Sequence, residues 1–296
     1  MNGDLLDRSV SAARPSPVAA TFDTSIIIPA HNEEEWLPAC IASILAQDES
    51  AGRLEILVMA NACTDGTVRA AESFARRAEA RGWRLVVRHL VRGSKTGAFN
   101  AGDDIAQGRN RVYLDADVTC DPDLLGQIRV ALDTEVPRYA TGTFAIVPPE
   151  SWVSRRFADA WSRLPFIKGG AVGAGFFAVN PAGRARWQAF PDVFCDDSFV
   201  RLHFGPEERV EVPARYHWPI AEGFTNLVRV RRRQDAAIAD LRRRRPDLVA
   251  NEAMEPVTPG YLLRLAWSVP AGFVVFALVK LGARLRPPTG TWTRGR

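Results

Sequence analysis

The sequence predicts an α/β protein with a mostly parallel central sheet, helices on both of its faces and a C-terminal helical extension. Between residue 24 and about residue 132, short β-branched or aliphatic runs alternate with amphipathic stretches in the order β-α-β-α-β-α-β. Connections this short favour parallel strands joined by right-handed crossovers. Polar and acidic residues directly follow the strands, at the edge where open α/β sheets bind their ligands.

Length and composition indicate a globular protein without a disulfide framework. The 296 residues suffice for one large α/β domain with appendages or for two small domains. Hydrophobic residues make up 47% and charged residues 24%, and the net charge of +4 permits an anionic partner without requiring one. The four cysteines are widely spaced, which disfavours a disulfide framework or a zinc site and favours a reducing compartment. The N-terminus lacks the basic-then-apolar pattern of a signal peptide.

The first strand and the first helix enclose a polar loop. Residues 1–21 are rich in Ser, Ala, Pro and charge, which predicts a disordered lead-in. The β-branched run at 24–29 predicts a buried strand. Residues 30–35 then place His31 and Asn32 before a helix, a composition typical of binding loops, whereas the helix dipole accounts for one or two of the glutamates there. The helix has one apolar face, formed by Leu37, Ile41, Ile44 and Leu45.

A second strand and helix follow. Residues 54–59 are apolar and predict a strand. Its helix is predicted to begin near residue 68, with Thr64 or Asp65 as the N-cap, and to end near Gly82.

The third unit contains a glycine-rich helix start. Residues 84–89 predict a strand, and residues 93–102 then combine several glycines with Lys95 where the next helix opens. Free backbone N–H groups and one ammonium suit the binding of an anion. The spacing is not that of a P-loop, so the segment alone is a weak signal.

An Asp-x-Asp motif ends the fourth strand. Residues 112–114 predict a buried strand that runs directly into Asp115 and Asp117. Side chains two apart on a strand share a face, and two oxygen donors suit a hard cation such as Mg²⁺ or Mn²⁺, usually shared with substrate phosphates. The alternative is a polar strand end in which Asp121 caps the next helix, with Pro122 in its first turn.

The second half of the chain adds a glycine-rich loop and a second pair of acids. Residues 140–147 predict a strand and residues 151–164 an amphipathic helix. Residues 168–180 are glycine-rich and then strand-like, which allows close approach to a ligand or serves as a flexible connection. Asp196 and Asp197 stand at a helix start, where capping and the helix dipole account for only one of them.

The C-terminal part is first basic and then apolar. Residues 225–245 predict an arginine-rich helix, which is a solvated face, a diphosphate clamp or a contact with an anionic membrane. Residues 246–260 are a proline-containing linker, and residues 286–296 a tail. Between them, residues 261–285 include 15 consecutive uncharged residues, short of the roughly 20 that a spanning helix needs. This favours a membrane-docking helix, with a homodimer contact as the alternative.

Six blocks in chain order resemble the family 2 inverting glycosyltransferases of the GT-A fold. The resemblance covers residues from about 22 to about 205 and implies a Rossmann-like GT-A domain over 22–245. The blocks are 26–34 (IIIPAHNEE), 58–67 (VMANACTDGT), 95–102 (KTGAFNAG), 113–117 (YLDAD), 173–177 (GAGFF) and the acid pair at 196–197.

The resemblance implies roles on the donor side of a nucleotide-sugar site. Pro29, His31 and Glu33 match the loop that holds the nucleoside, although the family often has Tyr in place of His31. Asn61 stands where an acid usually contacts the base, so the base preference stays open. Lys95 matches the basic position near the diphosphate.

It also implies roles for the acids and for the glycine-rich loop. Asp115 matches the acid on the ribose or metal side, and Asp117 the metal ligand, which implies Mn²⁺ or Mg²⁺ as cofactor. Asp197 matches the catalytic base, usually written Glu-Asp, and Asp196 is the alternative. The loop near donor sugar and acceptor corresponds to Gly173, Gly175 and Phe176.

These expectations combine into one leading function. It is a metal-dependent inverting transfer of one sugar from a nucleotide-sugar, expected to be UDP-linked, to a glycan, small-molecule or lipid-phosphate acceptor. The Gln-x-x-Arg-Trp motif of processive members does not follow Asp197, so transfer is expected to be non-processive. No nucleic acid partner is expected, and the location is expected to be cytoplasmic, at the inner face of the cell membrane. Competing hypotheses are a nucleotidyltransferase and a non-catalytic membrane-peripheral or nucleic-acid-binding protein that uses the arginine-rich helix.

Overall fold

The computed structural model describes residues 21–167, 170–192, 195–253 and 256–285. The predicted tail and, apart from Thr21, the predicted lead-in lie outside these residues. The strands are β1 (Phe22–Ala30), β2 (Leu54–Asn61), β3 (Arg84–Leu90), β4 (Gly108–Leu114), β5 (Thr119–Cys120), β6 (Tyr139–Ile146), β7 (Phe176–Val179) and β8 (Arg209–Trp218). The helices are α1 (Leu37–Leu45), α2 (Thr67–Glu72), α3 (Ala75–Ala80), α4 (Lys95–Asp103), α5 (Leu124–Ala131), α6 (Trp152–Trp161), α7 (Pro181–Arg184), α8 (Asp196–Arg201), α9 (Phe224–Arg244), α10 (Pro246–Val249), α11 (Pro259–Ser268) and α12 (Pro270–Arg284).

The described strands form one eight-stranded sheet in the order β3-β2-β1-β4-β7-β6-β8-β5. The first four positions are parallel throughout, as the β-α-β-α-β-α-β order predicted. Strand β7 is antiparallel to both of its neighbours, β4 and β6, and β6 is parallel to β8. The two halves of the chain therefore join through β7, near the middle of the sheet.

Helices cover both faces of the sheet because strand side chains alternate between them. Ile26 and Ile28 of β1 pack into a core with α1 and α5, whereas Ile27 packs on the other face with Phe99 of α4. All of these side chains are fully buried. This arrangement confirms the predicted α/β class.

The C-terminal helices form a third core on α6. Phe157 and Trp161 of α6 pack there with Leu227 of α9 and with Val275 and Val279 of α12. The predicted C-terminal helical extension is thus packed against the α/β part. None of the helices in the described ranges is long and apolar enough to cross a membrane.

Strand β8 was not predicted from the sequence, because charged residues and a proline interrupt its apolar pattern. Charged residues alternate with apolar ones along it, and Pro213 interrupts the run. The register of β8 against β6 shifts between Gly142 and Thr143, so that Pro213 falls in a bulge where it needs no ladder hydrogen bond. The two-residue strand β5 was also missed, since it is too short to show a pattern.

Three predicted helices differ in detail. The helix expected between residue 68 and Gly82 is divided into α2 and α3. Asp121 does not cap α5, which begins only at Leu124; its carboxylate instead lies 2.7 Å from His217 Nε2. The helix expected over 261–285 is divided into α11 and α12 because Pro270 cannot continue α11. The predicted linker 246–260 contains α10 and the first two residues of α11.

The close packing of α4 on β1 generates a stability prediction. A Cβ added at Gly102 would lie 2.4 Å from Ile27 Cγ2. Gly102→Ala is therefore expected to lower the free energy of unfolding by about 1–3 kcal/mol in urea titrations, despite the better helix propensity of Ala. Gly260→Ala is the control, because a Cβ there meets no atom within 4 Å. Equal stability of the two variants would contradict the packing described.

Candidate functional site

The loops that follow β1 and β2 are hydrogen-bonded to each other at the carboxyl edge of the sheet. The side-chain oxygen of Asn32 accepts the Thr64 N–H at 2.7 Å, and the Glu33 N–H donates to Thr67 Oγ1 at 2.7 Å. His31 Nδ1 lies 2.6 Å from the carbonyl oxygen of Asn61. Asn32 has φ of 53°, an uncommon conformation that asparagine tolerates better than most residues. The predicted nucleoside loop is thus fixed by its neighbour.

Asn61 has a structural task in addition to its predicted one. The residue is buried, and its side-chain oxygen accepts the N–H of Ser94 at 2.7 Å. Ser94 in turn caps α4 by accepting the Gly97 N–H at 3.0 Å. Asn61 therefore helps to place the first turn of α4, which begins with Lys95.

Lys95 lies between two carboxylates from distant parts of the chain. Its Nζ is 2.7 Å from Asp115 Oδ1 and 3.0 Å from Asp196 Oδ2. Burial lowers the pKa of Lys95, but the charges of Asp115 and Asp196 outweigh burial and leave the pKa well above its ordinary value. The lysine is consequently a fixed positive charge at the carboxyl end of β4.

The glycine-rich loop before β7 packs against the Asp-x-Asp motif. The N–H of Asp115 donates to the carbonyl of Gly175 at 2.9 Å. Gly175 has φ of 75°, and a Cβ on it would lie 3.0 Å from Trp218 Cδ1 and 3.3 Å from Asp115 Oδ2. Gly173 has φ of 64°, and its Cβ would meet the Tyr139 hydroxyl at 1.9 Å. Both predicted glycines are thus required by this geometry.

Phe176 does not take the predicted place near an acceptor. It is the first residue of β7, its side chain is fully buried, and its ring stacks on Tyr216 with centroids 5.4 Å apart. Strand β7 already begins at Phe176, so the side chain is buried in the sheet core. From there it supports the glycine-rich loop that precedes the strand.

The two acids at the start of α8 differ in their surroundings. Asp196 is buried and held by Lys95, whereas Asp197 is half-buried and accepts the N–H of Ser198 at 2.6 Å. The pKa of Asp197 is raised to about 6, first by burial and next by the charge of Asp196, while Lys95 opposes the rise. Burial also raises the pKa of Asp196, against the opposing charge of Lys95.

Arg233 of α9 joins this cluster, and sequence reasoning did not single it out. Helix α9 passes beside the acid pair, since Cys195 Sγ lies 3.4 Å from the carbonyl oxygen of Ala237. Arg233 is one turn before Ala237 and therefore on the same side of the helix. Burial lowers its pKa, and the charges of Asp115 and Asp196 oppose this. From the sequence, the arginine run of α9 indicated a diphosphate clamp, a membrane contact or a solvated face. Which of these arginines lies near the acids depends on how α9 packs, and this cannot be read from the run itself.

The donor set of the cluster fits a hard divalent cation shared with a ligand. The carboxylates of Asp115, Asp196 and Asp197 outnumber the two cations Lys95 and Arg233, so the fully ionised cluster carries net negative charge. A diphosphate would be repelled there unless further positive charge accompanied it. In the described ranges no group of three or more His, Cys, Asp or Glu side chains is placed to hold a metal ion by itself. A cation at Asp117 would therefore take its remaining ligands from phosphate oxygens and water.

Comparison with known proteins supports the resemblance. A family model described as Glycosyl transferase family 2 matches residues 25–180, which is more than half of the chain. A Drosophila melanogaster protein described as dolichyl-phosphate beta-glucosyltransferase is 33% identical over 133 residues. That match covers 43% of this chain and spans 40% of the relative's length.

Two solved structures are similar in fold. Mannosyltransferase PcManGT from Pyrobaculum calidifontis, in complex with GDP-Man and Mn²⁺, has a TM-score of 0.55 and 20% identity over 92% of this chain and 82% of that one. Residues 1-349 of S. aureus TarS, in complex with UDP-GlcNAc, give a TM-score of 0.50 and 12% identity over 89% of this chain and 92% of that one. At these identities the likeness concerns the fold, and it confirms the predicted GT-A class.

The contacts of Lys95 generate a prediction about Asp197. Lys95→Met removes a charge that lowers the pKa of Asp197, so this pKa is expected to rise above about 6. Carboxyl ¹³C shifts followed against pH, and assigned with an Asp197→Asn variant, measure the change. Lys95→Arg retains the charge and is expected to leave the pKa near that of the unaltered protein. An unchanged pKa in Lys95→Met would contradict the electrostatic role of Lys95.

Proposed function

Because the chain belongs to glycosyl transferase family 2, we propose that it is a glycosyltransferase that moves one sugar from a nucleotide-sugar to an acceptor with inversion at the anomeric carbon. The observation that carries this proposal is the Lys95 bridge between Asp115 and Asp196. It brings the Asp-x-Asp motif and the Asp196-Asp197 pair together at the carboxyl edge of the sheet. One acid group is then available on the leaving-group side and another on the acceptor side.

On the donor side, the proposed ligand is a nucleoside diphosphate. The loop of Pro29, His31 and Glu33 would hold the nucleoside. Lys95 and Arg233 would face the diphosphate, and Asp117 would hold the divalent cation. When bound, this cation offsets the charge that develops on the leaving diphosphate. The UDP-GlcNAc of the TarS complex supports a UDP-linked donor, and the GDP-Man of PcManGT supports a GDP-linked one as the second candidate.

On the acceptor side, Asp197 is the better placed base. Its raised pKa of about 6 keeps it mostly ionised at neutral pH while making it a stronger proton acceptor than an ordinary aspartate. Asp196 is engaged by Lys95 instead. In the proposed step the acceptor hydroxyl gives its proton to Asp197, its oxygen bonds to the anomeric carbon, and the bond from that carbon to the nucleoside diphosphate breaks.

Two classes of acceptor are supported by different observations. The raised pKa of Asp197 favours an acceptor hydroxyl, because a hydroxyl must lose a proton during transfer. The name of the Drosophila relative favours a lipid phosphate, whose oxygen is already ionised at neutral pH. The requirement for Asp197 therefore distinguishes the two. The absence of a Gln-x-x-Arg-Trp motif after Asp197 in the sequence supports transfer of a single sugar.

Donor binding is tested by thermal unfolding with UDP-, GDP- and dTDP-sugars, each with and without Mn²⁺. One nucleotide is expected to stabilise the protein only with metal, by about 2.7 kcal/mol at 100 times its dissociation constant. Asp117→Ala is expected to remove this stabilisation because the cation loses its protein ligand. Asp133→Ala, on a side chain that is 71% exposed and paired with Arg109, is the control. A panel in which no nucleotide stabilises the protein would refute the donor site.

The base assignment is tested by kinetics once a donor and an acceptor are found. Asp197→Asn is expected to lower kcat by about 10²–10⁴-fold with a hydroxyl acceptor. For the unaltered protein, kcat/KM should rise with pH through about 6 and then level off, since the base acts only when deprotonated. A pH-independent rate that survives Asp197→Asn would contradict the base role and favour a phosphate acceptor.

A further inference from the structure

Each of the two C-terminal helices exposes large apolar side chains three or four residues apart. We call these side chains the C-terminal apolar face and define it as Leu263, Trp267, Val274, Leu278 and Leu281. Their exposed fractions range from 50% for Leu278 to 92% for Trp267. A tryptophan exposed to this degree contributes nothing to the internal packing of the protein.

This face is separate from the side of the helices that packs on the protein. Helix α12 packs with Val275 and Val279 in the third core, and a Cβ added at Gly272 would lie 2.7 Å from the carbonyl oxygen of Arg156 in α6. Helix α11 contributes Leu265 to the same core. Since ordinary surface helices place polar residues opposite their buried stripe, α12 is unusual in being apolar on both sides. Its outer side is therefore suited to an apolar environment.

The charges near the C-terminal apolar face indicate which apolar environment it fits. From Pro256 to Arg296 the sequence contains no Asp or Glu and six cations: Arg264, Lys280, Arg284, Arg286, Arg294 and Arg296. Arg264 and Arg284 are exposed next to the apolar side chains, whereas Lys280 is paired with Asp235 of α9. The exposed charges that α11 and α12 themselves carry are thus positive.

We propose that the C-terminal apolar face docks on the surface of an anionic lipid bilayer, with α11 and α12 lying in the plane of the headgroups. The leucines and Val274 would enter the acyl boundary, Trp267 would lie at the headgroup level, and Arg264 and Arg284 would meet lipid phosphates. The helices lie on the bilayer rather than across it, in keeping with their length and composition. The proposal holds whichever sugar and acceptor the protein uses.

A second copy of the chain fits this face less well than a bilayer does. A twofold dimer would place the same patch against itself, so Arg264 and Arg284 would approach their own equivalents without an acid in either segment. Like charges brought together in an interface are repulsive. An anionic bilayer offers the opposite charge along the whole face.

Flotation of the full chain with lipid vesicles tests the proposal. The protein is expected to float with vesicles of phosphatidylcholine and phosphatidylglycerol, to bind pure phosphatidylcholine more weakly, and to lose most of the difference in high salt. The double variant Trp267→Gln with Leu278→Gln is expected to bind anionic vesicles at least about tenfold more weakly, because the bilayer loses one apolar side chain in the acyl boundary and one at the headgroup level. Arg264→Gln with Arg284→Gln should reduce the preference for anionic lipid.

The matched control is Val91→Gln with Val130→Gln, which changes two apolar side chains that are 88% and 67% exposed elsewhere on the surface. This control should bind vesicles as the unaltered protein does, and all three double variants should unfold at the same temperature, since none removes a buried group. Failure of the unaltered protein to bind anionic vesicles, or undiminished binding by the Trp267 variant, would overturn the proposal. A dimer without lipid that dissociates in the Trp267 variant would assign the face to a second copy instead.

Discussion

The ammonium group of Lys95 connects carboxylates from parts of the chain that are far apart in sequence. It joins the first turn of α4, the end of β4 and the start of α8, although Asp115 is 20 residues and Asp196 is 101 residues further along the chain. Without a cation there, carboxylates from both halves of the protein would repel one another across a half-buried space. The position of Lys95 in turn depends on Ser94 and Asn61, which fix the beginning of α4. The N-cap of α4 thus determines where the charge of Lys95 lies between Asp115 and Asp196.

The sheet topology explains why this point lies beside the glycine-rich loop. Because β7 runs antiparallel to β4, the amino end of β7 lies next to the carboxyl end of β4. The loop that precedes β7 therefore meets the loop that follows β4, and Gly175 contacts Asp115 directly. Trp218, at the end of β8, closes the same corner and packs against Trp161 of the third core. The acid cluster is in this way connected to the helices that carry the C-terminal apolar face.

The sequence predicted the first four strands and named most of the residues that the structure places at the carboxyl edge of the sheet. The apolar runs of β1 and β2 and the last three residues of β4 are buried on both faces, so these runs are unambiguous. The polar residues after them, from His31 to Asp117, were predicted because parallel strands bring their carboxyl ends to one edge. The family resemblance assigned Lys95 and Asp196 to one site, but their ion pair was not predicted, since no periodicity predicts a contact over 101 residues. Strand β8 and Arg233 were not predicted because a bulge around Pro213 and the rotation of α9 are properties of packing. Phe176 was placed in the loop because strand ends are the least certain part of such predictions.

The position of β7 also has a consequence for the synthesis of the chain. Strands β1 to β4 are complete by Leu114, yet one edge of β4 stays without a partner until Phe176–Val179 has been made. A growing or truncated chain therefore presents to other chains the backbone N–H and C=O groups of residues 111–114, which β7 later pairs. Fragments that stop before β7 should therefore be prone to intermolecular strand pairing through the edge of β4. Strand β7 thus covers the exposed edge of the first half of the molecule and protects it from association with its own copies.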